Sequence, residues 1–185
     1  MQTFNEINLN KNLNLALAEL GFIKPTPIQA KTIPILMDSG RDMIGSAQTG
    51  TGKTAAFGLP SIHLTNLDEP GTQTLILCPT RELCMQVAND LRAYSKYIDK
   101  LGIVSIYGGA SIEKQIKSIK RRSHIVVGTP GRTKDLLTRK KLFIDKVQRV
   151  VLDEADEMLS MGFKDDLDFI LSKITGESQK LLFSA

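Results

Sequence analysis

The strongest chemical signal in the sequence is a glycine-rich segment that ends in lysine and threonine. It fits the phosphate-binding pattern G-x-x-x-x-G-K-[ST], except that Ala47 stands at the first glycine position. Gly50 and Gly52 can adopt backbone conformations closed to residues with a Cβ, so backbone N–H groups can converge on phosphate oxygens. The pattern predicts a nucleotide-binding loop made of Ala47, Gln48, Thr49, Gly50, Thr51, Gly52, Lys53 and Thr54.

The last two residues of this loop have distinct predicted roles. Lys53 would reach the β- and γ-phosphates, and the Thr54 hydroxyl would serve Mg²⁺. A strand-like run at residues 42–45 precedes the loop and a helical run at residues 54–59 follows it, with Pro60 expected to limit the helix's regularity or length. The alternative is a glycine-rich turn with a chance lysine, which the strand–loop–helix context disfavours.

An acidic cluster about a hundred residues later supplies the second half of the same chemistry. Asp153 directly follows the apolar run at residues 150–152, so a buried strand would deliver it to the carboxyl edge of a sheet, where α/β sheets bind ligands. Asp153 would hold Mg²⁺, partly through water, and Glu154 would orient or deprotonate the attacking water. The alternative is an exposed acidic turn that caps the next helix. The predicted catalytic residues are Lys53, Asp153, Glu154 and Asp156.

The elements that must position these residues alternate along the chain. Strand-like runs begin near Asp42, Thr74, Ile103, His124, Arg149 and Lys180, with helical runs between them. This order predicts an α/β fold with a mostly parallel central sheet and helices on both faces. The length of 185 residues suits one domain, residues 1–185. Leu13, Leu17 and Leu20 mark the buried face of a first helix that should stop at Gly21.

Charge is distributed unevenly along the chain. Residues 114–149 contain twelve of the 24 basic residues and only two acids, which gives this segment a charge of +10 and the remainder −6. A basic segment favours a polyanionic partner. The alternative is a set of solvated helix faces.

Several other classes of protein are disfavoured by the sequence. No apolar stretch is long enough to span a membrane, and the first residues lack the basic and apolar regions of a signal peptide, so a cytoplasmic location is the default expectation. Two cysteines provide neither a disulfide framework nor a four-cysteine zinc site. His63 and His124 are expected to be structural.

Short motifs in a fixed order along the chain carry a family resemblance. They begin with a segment at residues 21–29 that ends in Gln29, continue through the loop before Lys53, and include Asp-Glu-Ala-Asp at residues 153–156. In this order they resemble the first RecA-like domain of DEAD-box ATP-dependent RNA helicases, most closely bacterial ones. The resemblance covers nearly the whole chain and implies ATP and Mg²⁺ as ligands and RNA as partner.

The segment at residues 4–29 resembles the adenine-reading Q motif of that family. Its resemblance implies ATP contacts by Phe4, Phe22, Lys24 and Gln29. The Gln29 amide has an acceptor and two donors and can pair with the N6 and N7 edge of adenine, while Phe22 can lie against the purine face. A proline-rich turn in which Thr26 caps a helix is compatible with both roles, and ordinary packing is an equal alternative for Phe4.

Three further motifs are similar to the RNA-contacting motifs of the family. The resemblance implies that an RNA backbone path is lined by Pro79, Thr80, Arg81, Gly108, Gly109, Thr129, Pro130, Gly131 and Arg132. Backbone amides and arginines at strand ends suit phosphate oxygens, which carry no base information. The alternative, which is favoured for Thr80 taken alone, is simple helix capping.

Ser184 and Ala185 resemble the start of a Ser-Ala-Thr motif that couples the ATP and RNA states. In the family a second RecA-like domain closes over both ligands and supplies arginines to the transferring phosphate. We expect that domain to be absent from this chain, and arginines of this kind are worth roughly 10³–10⁵ in rate. The chain alone should therefore bind adenine nucleotide weakly, hydrolyse ATP poorly and not unwind RNA. Two alternatives stay open: another P-loop NTPase or kinase, and an RNA-binding module with a vestigial nucleotide site.

Overall fold

The computed structural model describes residues 3–38, 40–48 and 50–184, so the predictions for Thr49 and Ala185 lie outside the described residues. Its centre is a six-stranded sheet with the order β1-β6-β5-β2-β4-β3, in which all neighbouring strands are parallel. The strands are β1 Met43–Ser46, β2 Thr74–Leu77, β3 Ile103–Ile106, β4 Ile125–Gly128, β5 Arg149–Asp153 and β6 Gln179–Ser184. The six predicted strand positions are confirmed to within one residue.

Helices cover both faces of this sheet, as predicted. A short 3₁₀ turn at Phe4–Glu6 precedes α1 Lys11–Glu19, α2 Pro27–Asp38, α3 Lys53–His63, α4 Arg81–Tyr94, α5 Ile112–Arg121, α6 Pro130–Thr138, α7 Ala155–Ser160 and α8 Lys164–Ser172. One core contains Phe57 and Leu91 against Phe183 of the sheet. The other contains Leu136 and Ile170. Strands buried on both sides explain the nearly continuous apolar runs in the sequence.

The buried face of α1 differs from its prediction at one position. Leu13, Ala16 and Leu17 are buried, whereas Leu20 is 45% exposed. The helix ends at Glu19, and Leu20 occupies the C-cap before Gly21, whose φ of 77° turns the chain away. The predicted stop at Gly21 is confirmed, and the inclusion of Leu20 in the buried face is wrong.

Pro60 was expected to limit the regularity or the length of α3, and the limit on length is wrong, because the helix continues to His63. Proline inside a helix removes one backbone hydrogen bond and costs about 3 kcal/mol. The surrounding residues Phe57 and Leu59 are fully buried, and Ser61 Oγ donates to the Phe57 carbonyl at 2.7 Å. Tertiary burial outweighs the local propensity here.

Candidate functional site

All strands run in one direction, so the segments that follow them meet at a single edge of the sheet. Along this carboxyl edge, the phosphate-loop residues follow β1, Ser184 ends β6, and Asp153 ends β5. The motifs that resemble RNA contacts follow β2, β4 and β3 on the other half of the edge. The fold therefore separates the motifs into two halves of one edge, here called the nucleotide half and the RNA half after their predicted ligands, with Asp153 between them.

The phosphate loop is fixed by contacts to its neighbours. Gly52 has a φ of 91°, and a Cβ at this position would lie 2.3 Å from the Gln29 Nε2 atom, so both backbone and space require glycine. The Ala47 N–H donates to the Ser184 carbonyl at 3.0 Å, and Thr51 Oγ1 donates to the Gln48 carbonyl at 2.7 Å. Helix α3 starts at Lys53, and its N-terminus faces the loop as an anion site requires.

The loop and the acidic cluster converge on one ion pair. Lys53 Nζ lies 2.6 Å from Glu154 Oε1, and both side chains are buried. Glu154 itself has φ 54° and ψ 54°, a left-handed conformation that is costly for a residue with a Cβ. Strain of this kind is typical of positions whose side chain must point in one direction.

Asp153 lies beside this pair and is an unusual carboxylate. It is 3% exposed, and its Oδ1 atom has no hydrogen-bond partner among the described residues. Burial raises the pKa of Asp153 to about 6; the neighbouring Glu154 charge also raises it, and Lys53 lowers it. A bound cation would stabilise a buried carboxylate oxygen that has no hydrogen-bond partner.

These residues fit a magnesium–nucleotide complex. Thr54, half-buried in the first turn of α3, provides a hydroxyl next to Lys53. Within the part of the chain that the structure describes, no three His, Cys, Asp or Glu side chains form a ready metal cluster. Mg²⁺ usually takes one or two protein carboxylates, several waters and substrate phosphates, so Asp153 together with a nucleotide meets its needs.

Asp156 lies apart from the buried cluster. Its side chain is exposed in the first turn of α7. A negative charge there interacts favourably with the positive end of the helix dipole. Its catalytic role stays a prediction.

Gln29 links the adenine motif to the phosphate loop. It is 2% exposed; its Oε1 accepts from the Thr26 N–H at 2.9 Å, and its Nε2 donates to the Gly52 carbonyl at 3.1 Å. Thr26 Oγ1 has no hydrogen-bond partner among the described residues, so Gln29 caps α2 rather than Thr26. The amide retains one acceptor lone pair and one donor, which is what the adenine N6 and N7 edge needs.

An open cavity lies beside Gln29. It measures about 590 Å³ and is lined by Leu20, Gly21, Phe22, Ile23, Lys24, Thr26 and Gln29. Phe4 is not part of this lining. It is 3% exposed, with its ring centroid 6.0 Å from that of Phe22. The structure therefore shows the packing role of Phe4, and its contact with a nucleotide stays a prediction.

On the RNA half of the edge, Arg81 and Arg132 are held in defined positions. The Arg81 guanidinium lies 5.0 Å from the centroid of the Tyr107 ring. Arg132 donates to Gln115 Oε1 at 3.0 Å and to the Ala110 carbonyl at 3.3 Å. Contacts of this kind hold each guanidinium group in one orientation, and the contact of both arginines with RNA stays a prediction.

The other residues of this half shape the turns. Thr80 Oγ1 accepts from the Leu83 N–H at 3.2 Å, which confirms the predicted cap of α4. Gly108 and Gly109 are exposed, and Gly109 has a φ of 78° beside Arg81. Thr129 and Gly131 begin α6 at the same edge. Pro79 and Pro130 are buried, so their side chains position the loops, and their predicted contact with RNA would have to be made by the backbone.

Two residues in this region were missed by the sequence reasoning. Tyr107 supports Arg81, and Gln115 is 7% exposed and bridges Arg132 to the Tyr107 carbonyl through Nε2 at 3.1 Å. An aromatic residue directly before Gly108 was an available signal for Tyr107. Gln115 lies mid-helix with no pattern that could have revealed it.

Comparison with known proteins agrees with this geometry. The sequence model of the family described as DEAD/DEAH box helicase matches residues 26–185. The chain belongs to this family. A DEAD-box ATP-dependent RNA helicase CshA from Streptococcus pneumoniae is 48% identical over 98% of the chain, and one from Geobacillus kaustophilus is 48% identical over all of it. The chain spans 34% and 39% of the length of these two relatives.

A solved structure shows the same fold. The crystal structure of a DEAD box protein from the hyperthermophile Methanococcus jannaschii matches the whole chain with a TM-score of 0.95 and 44% identity, and the match covers 50% of that protein. The parallel six-stranded arrangement is therefore that of a RecA-like domain of a DEAD-box protein. None of the helices in the described ranges combines the length and apolar character needed to cross a bilayer.

Proposed function

We propose that residues 1–185 form a single RecA-like domain of an ATP-dependent RNA helicase, which binds ATP with Mg²⁺ and an RNA backbone at its carboxyl edge. The observation that carries this proposal is the 2.6 Å contact between Lys53 and Glu154, which joins the phosphate loop to the acidic cluster across the end of β6. Relatives from Streptococcus pneumoniae and Listeria monocytogenes that are named ATP-dependent RNA helicases support it.

In the proposed nucleotide site each residue has one task. Gln29 and Phe22 hold the base in the cavity beside α2, and the loop amides with Lys53 bind the phosphates. Thr54 and Asp153 would hold Mg²⁺, which, when bound, neutralises charge on the β- and γ-phosphates. Since Lys53 bonds Glu154 in this structure, phosphate binding must draw the Lys53 ammonium away and leave Glu154 free to orient and deprotonate water.

On the RNA half, Arg81, Arg132 and the N–H groups at the starts of α4 and α6 would contact phosphate oxygens. The Ser184 carbonyl accepts a hydrogen bond from the Ala47 N–H and so connects the end of β6 to the phosphate loop. We propose that this connection, with Ala185, couples the two halves.

The partner of this domain is proposed to be a second RecA-like domain that closes over ATP and RNA, supplies arginines and so allows local unwinding of a duplex. The greater length of the relatives supports this assignment. We propose a cytoplasmic activity, because the relatives named as RNA helicases come from bacteria, whose RNA lies in the cytoplasm.

The test of this function is Glu154→Gln in the chain joined to a second RecA-like domain. Glutamine has nearly the shape of glutamate but cannot accept a proton, so nucleotide affinity should persist while RNA-stimulated ATP turnover falls about 10²–10⁴-fold. Glu157→Gln, an exposed change in the helix that follows Glu154, is the matched control. Unchanged turnover in Glu154→Gln would remove Glu154 from the proposed role.

A further inference from the structure

Arg132 apart, several cations of the basic segment at residues 114–149 lie away from the motif edge. Lys134, Arg139 and Lys146 form ion pairs with Asp166, Asp135 and Glu69. Five other cations of the segment lie near the amino ends of the strands, at the opposite edge of the sheet. They are Lys120, Arg121, Arg122, Lys140 and Lys141.

These cations line two adjoining clefts. The first, of about 580 Å³, lies beside the start of β3 and includes Lys100 and Ser118. The second, of about 560 Å³, lies between the α3–β2 loop, the end of α5 and the α6–β5 loop. Arg121 and Arg122 line both, so the clefts form one groove, here called the amino-edge groove. Among the described residues that line this groove, six are cationic and one, Asp68, is a carboxylate.

Ordinary structural roles explain only part of this charge. The C-terminus of α5 favours Lys120 and Arg121, and Arg122 donates to the Lys100 carbonyl at 2.7 Å. Lys100 and Lys140 have no such reason to be lysine. Both have positive φ, 67° and 55°, a conformation in which glycine or asparagine is less strained.

An aromatic side chain completes the groove. Phe143 is 65% exposed and lines the second cleft together with Lys140 and Lys141. Cations that track a backbone together with an exposed ring are the combination that binds single-stranded nucleic acid without sequence preference.

We propose that the amino-edge groove binds a single-stranded RNA segment that flanks the segment held at the carboxyl edge. This inference rests in part on the proposed function, which makes RNA the polyanion present at the other edge. Strands of four to six residues separate the two edges by about 13–20 Å, so a strand must extend several nucleotides beyond the motif site to reach the groove. Long RNA would then bind more tightly than short RNA.

The test compares fluorescent oligouridylates of six and twenty nucleotides by anisotropy. The groove variant is Lys100→Asn, Lys140→Asn and Lys141→Gln, which removes three charges and keeps residues that tolerate the two left-handed positions. The control variant, Lys11→Gln, Lys173→Gln and Lys180→Gln, removes three exposed charges outside the groove. We expect at least tenfold weaker binding of the twenty-mer by the groove variant alone, unchanged binding of the six-mer, and a salt dependence lowered by about 2 in slope.

Equal affinity of the groove and control variants for the twenty-mer would overturn the proposal. So would groove-dependent binding of poly-glutamate without groove-dependent binding of RNA, which would assign the surface to an acidic protein segment. Failure of the proposed motif path is distinguishable: Arg81→Gln would then leave six-mer binding unchanged, while the groove dependence of the twenty-mer would still be measured.

Discussion

Asp153 is positioned to bind a cation, but its buried charge lowers the stability of the folded protein without ligand. Its burial raises its pKa to about 6, above the value of 3.8 for a solvated aspartate. A carboxyl whose folded-state pKa is raised contributes stability below the unfolded pKa and loses it as pH rises through the folded value. At neutral pH the charge is therefore a cost to the protein without ligand, and a bound cation would offset it.

We therefore expect Asp153→Asn to stabilise the protein without ligand. The gain should be about 1–2 kcal/mol at pH 7.5, less than the full pKa difference at 1.36 kcal/mol per unit because the buried amide also needs partners. In a chain of this size the melting temperature should rise by roughly 2–8 °C, measured by differential scanning fluorimetry. Asp156→Asn, at an exposed position, is the control. A lower melting temperature for Asp153→Asn would contradict this account.

The two histidines share a structural role that requires the neutral ring. His63 Nδ1 accepts from the Asn10 N–H at 2.8 Å, and His124 Nδ1 accepts from the Gly102 N–H at 3.0 Å. Burial lowers the pKa of both side chains from 6.5, and for His124 the nearby Arg122 charge lowers it further. The prediction that neither is catalytic is consistent with these contacts.

A pH-dependent stability follows for His63. Because the unfolded state takes up a proton near pH 6.5 and the folded state only at lower pH, stability falls as pH drops below about 6.5. His63→Asn keeps an acceptor but does not titrate. Melting temperatures at pH 7.5 and 5.5 should show the wild type losing more stability than His63→Asn; equal losses would exclude His63 as the source.

At the scale of elements, α5 supports the RNA half of the edge through one buried side chain. Gln115 connects the Tyr107 carbonyl after β3 to Arg132 in α6. Two RNA-half loops are thereby kept in register by a residue that has no contact with ligand in the proposed function.

Gln115→Leu should uncouple these loops. The variant loses the hydrogen bonds to the Tyr107 carbonyl and from the Arg132 guanidinium. Their loss should lower stability by about 1–3 kcal/mol. We expect roughly tenfold weaker binding of a six-nucleotide RNA, measured by anisotropy at a temperature well below unfolding. Gln86→Leu on the exposed face of α4 is the matched control. If both variants bind RNA equally, Gln115 has no positioning role.

Sequence patterns predicted the elements well but not the contacts between them. Apolar runs and turn residues gave all six strands, and Thr80 was correctly predicted as a cap. Pro60 was misjudged because burial of α3, not local propensity, decides its length. Gln29 was predicted as an adenine contact, but its bonds to Thr26 and Gly52 depend on how α2 packs on the loop, which no local pattern encodes.

For the whole molecule, the sheet order explains why nucleotide and RNA motifs occupy separate halves of one edge. The sequence identified the basic segment at residues 114–149 but could not show that much of its charge faces the other edge, because that depends on where α5 and the α6–β5 loop lie. The charges could be counted in the sequence, whereas the edge of the sheet near which they lie could be determined only from the fold.

ATP turnover also depends on the whole molecule. We expect residues 1–185, tested without the proposed second RecA-like domain, to hydrolyse ATP slowly even with RNA, since that domain is proposed to supply the arginines. Covalent addition of a second RecA-like domain should raise RNA-stimulated ATP turnover by roughly 10³–10⁵-fold. The measurement is the rate of phosphate release. Robust RNA-stimulated turnover by the unjoined chain would refute this expectation.

The central claim is that Lys53 and Asp153 serve one triphosphate–metal site, and equilibrium binding of a fluorescent ATP analogue tests it most directly. For the wild type, affinity should fall when EDTA replaces Mg²⁺. Lys53→Gln should bind at least tenfold more weakly in Mg²⁺, and Asp153→Asn should bind with little dependence on Mg²⁺. Wild-type affinity and wild-type Mg²⁺ dependence in both variants would contradict the account.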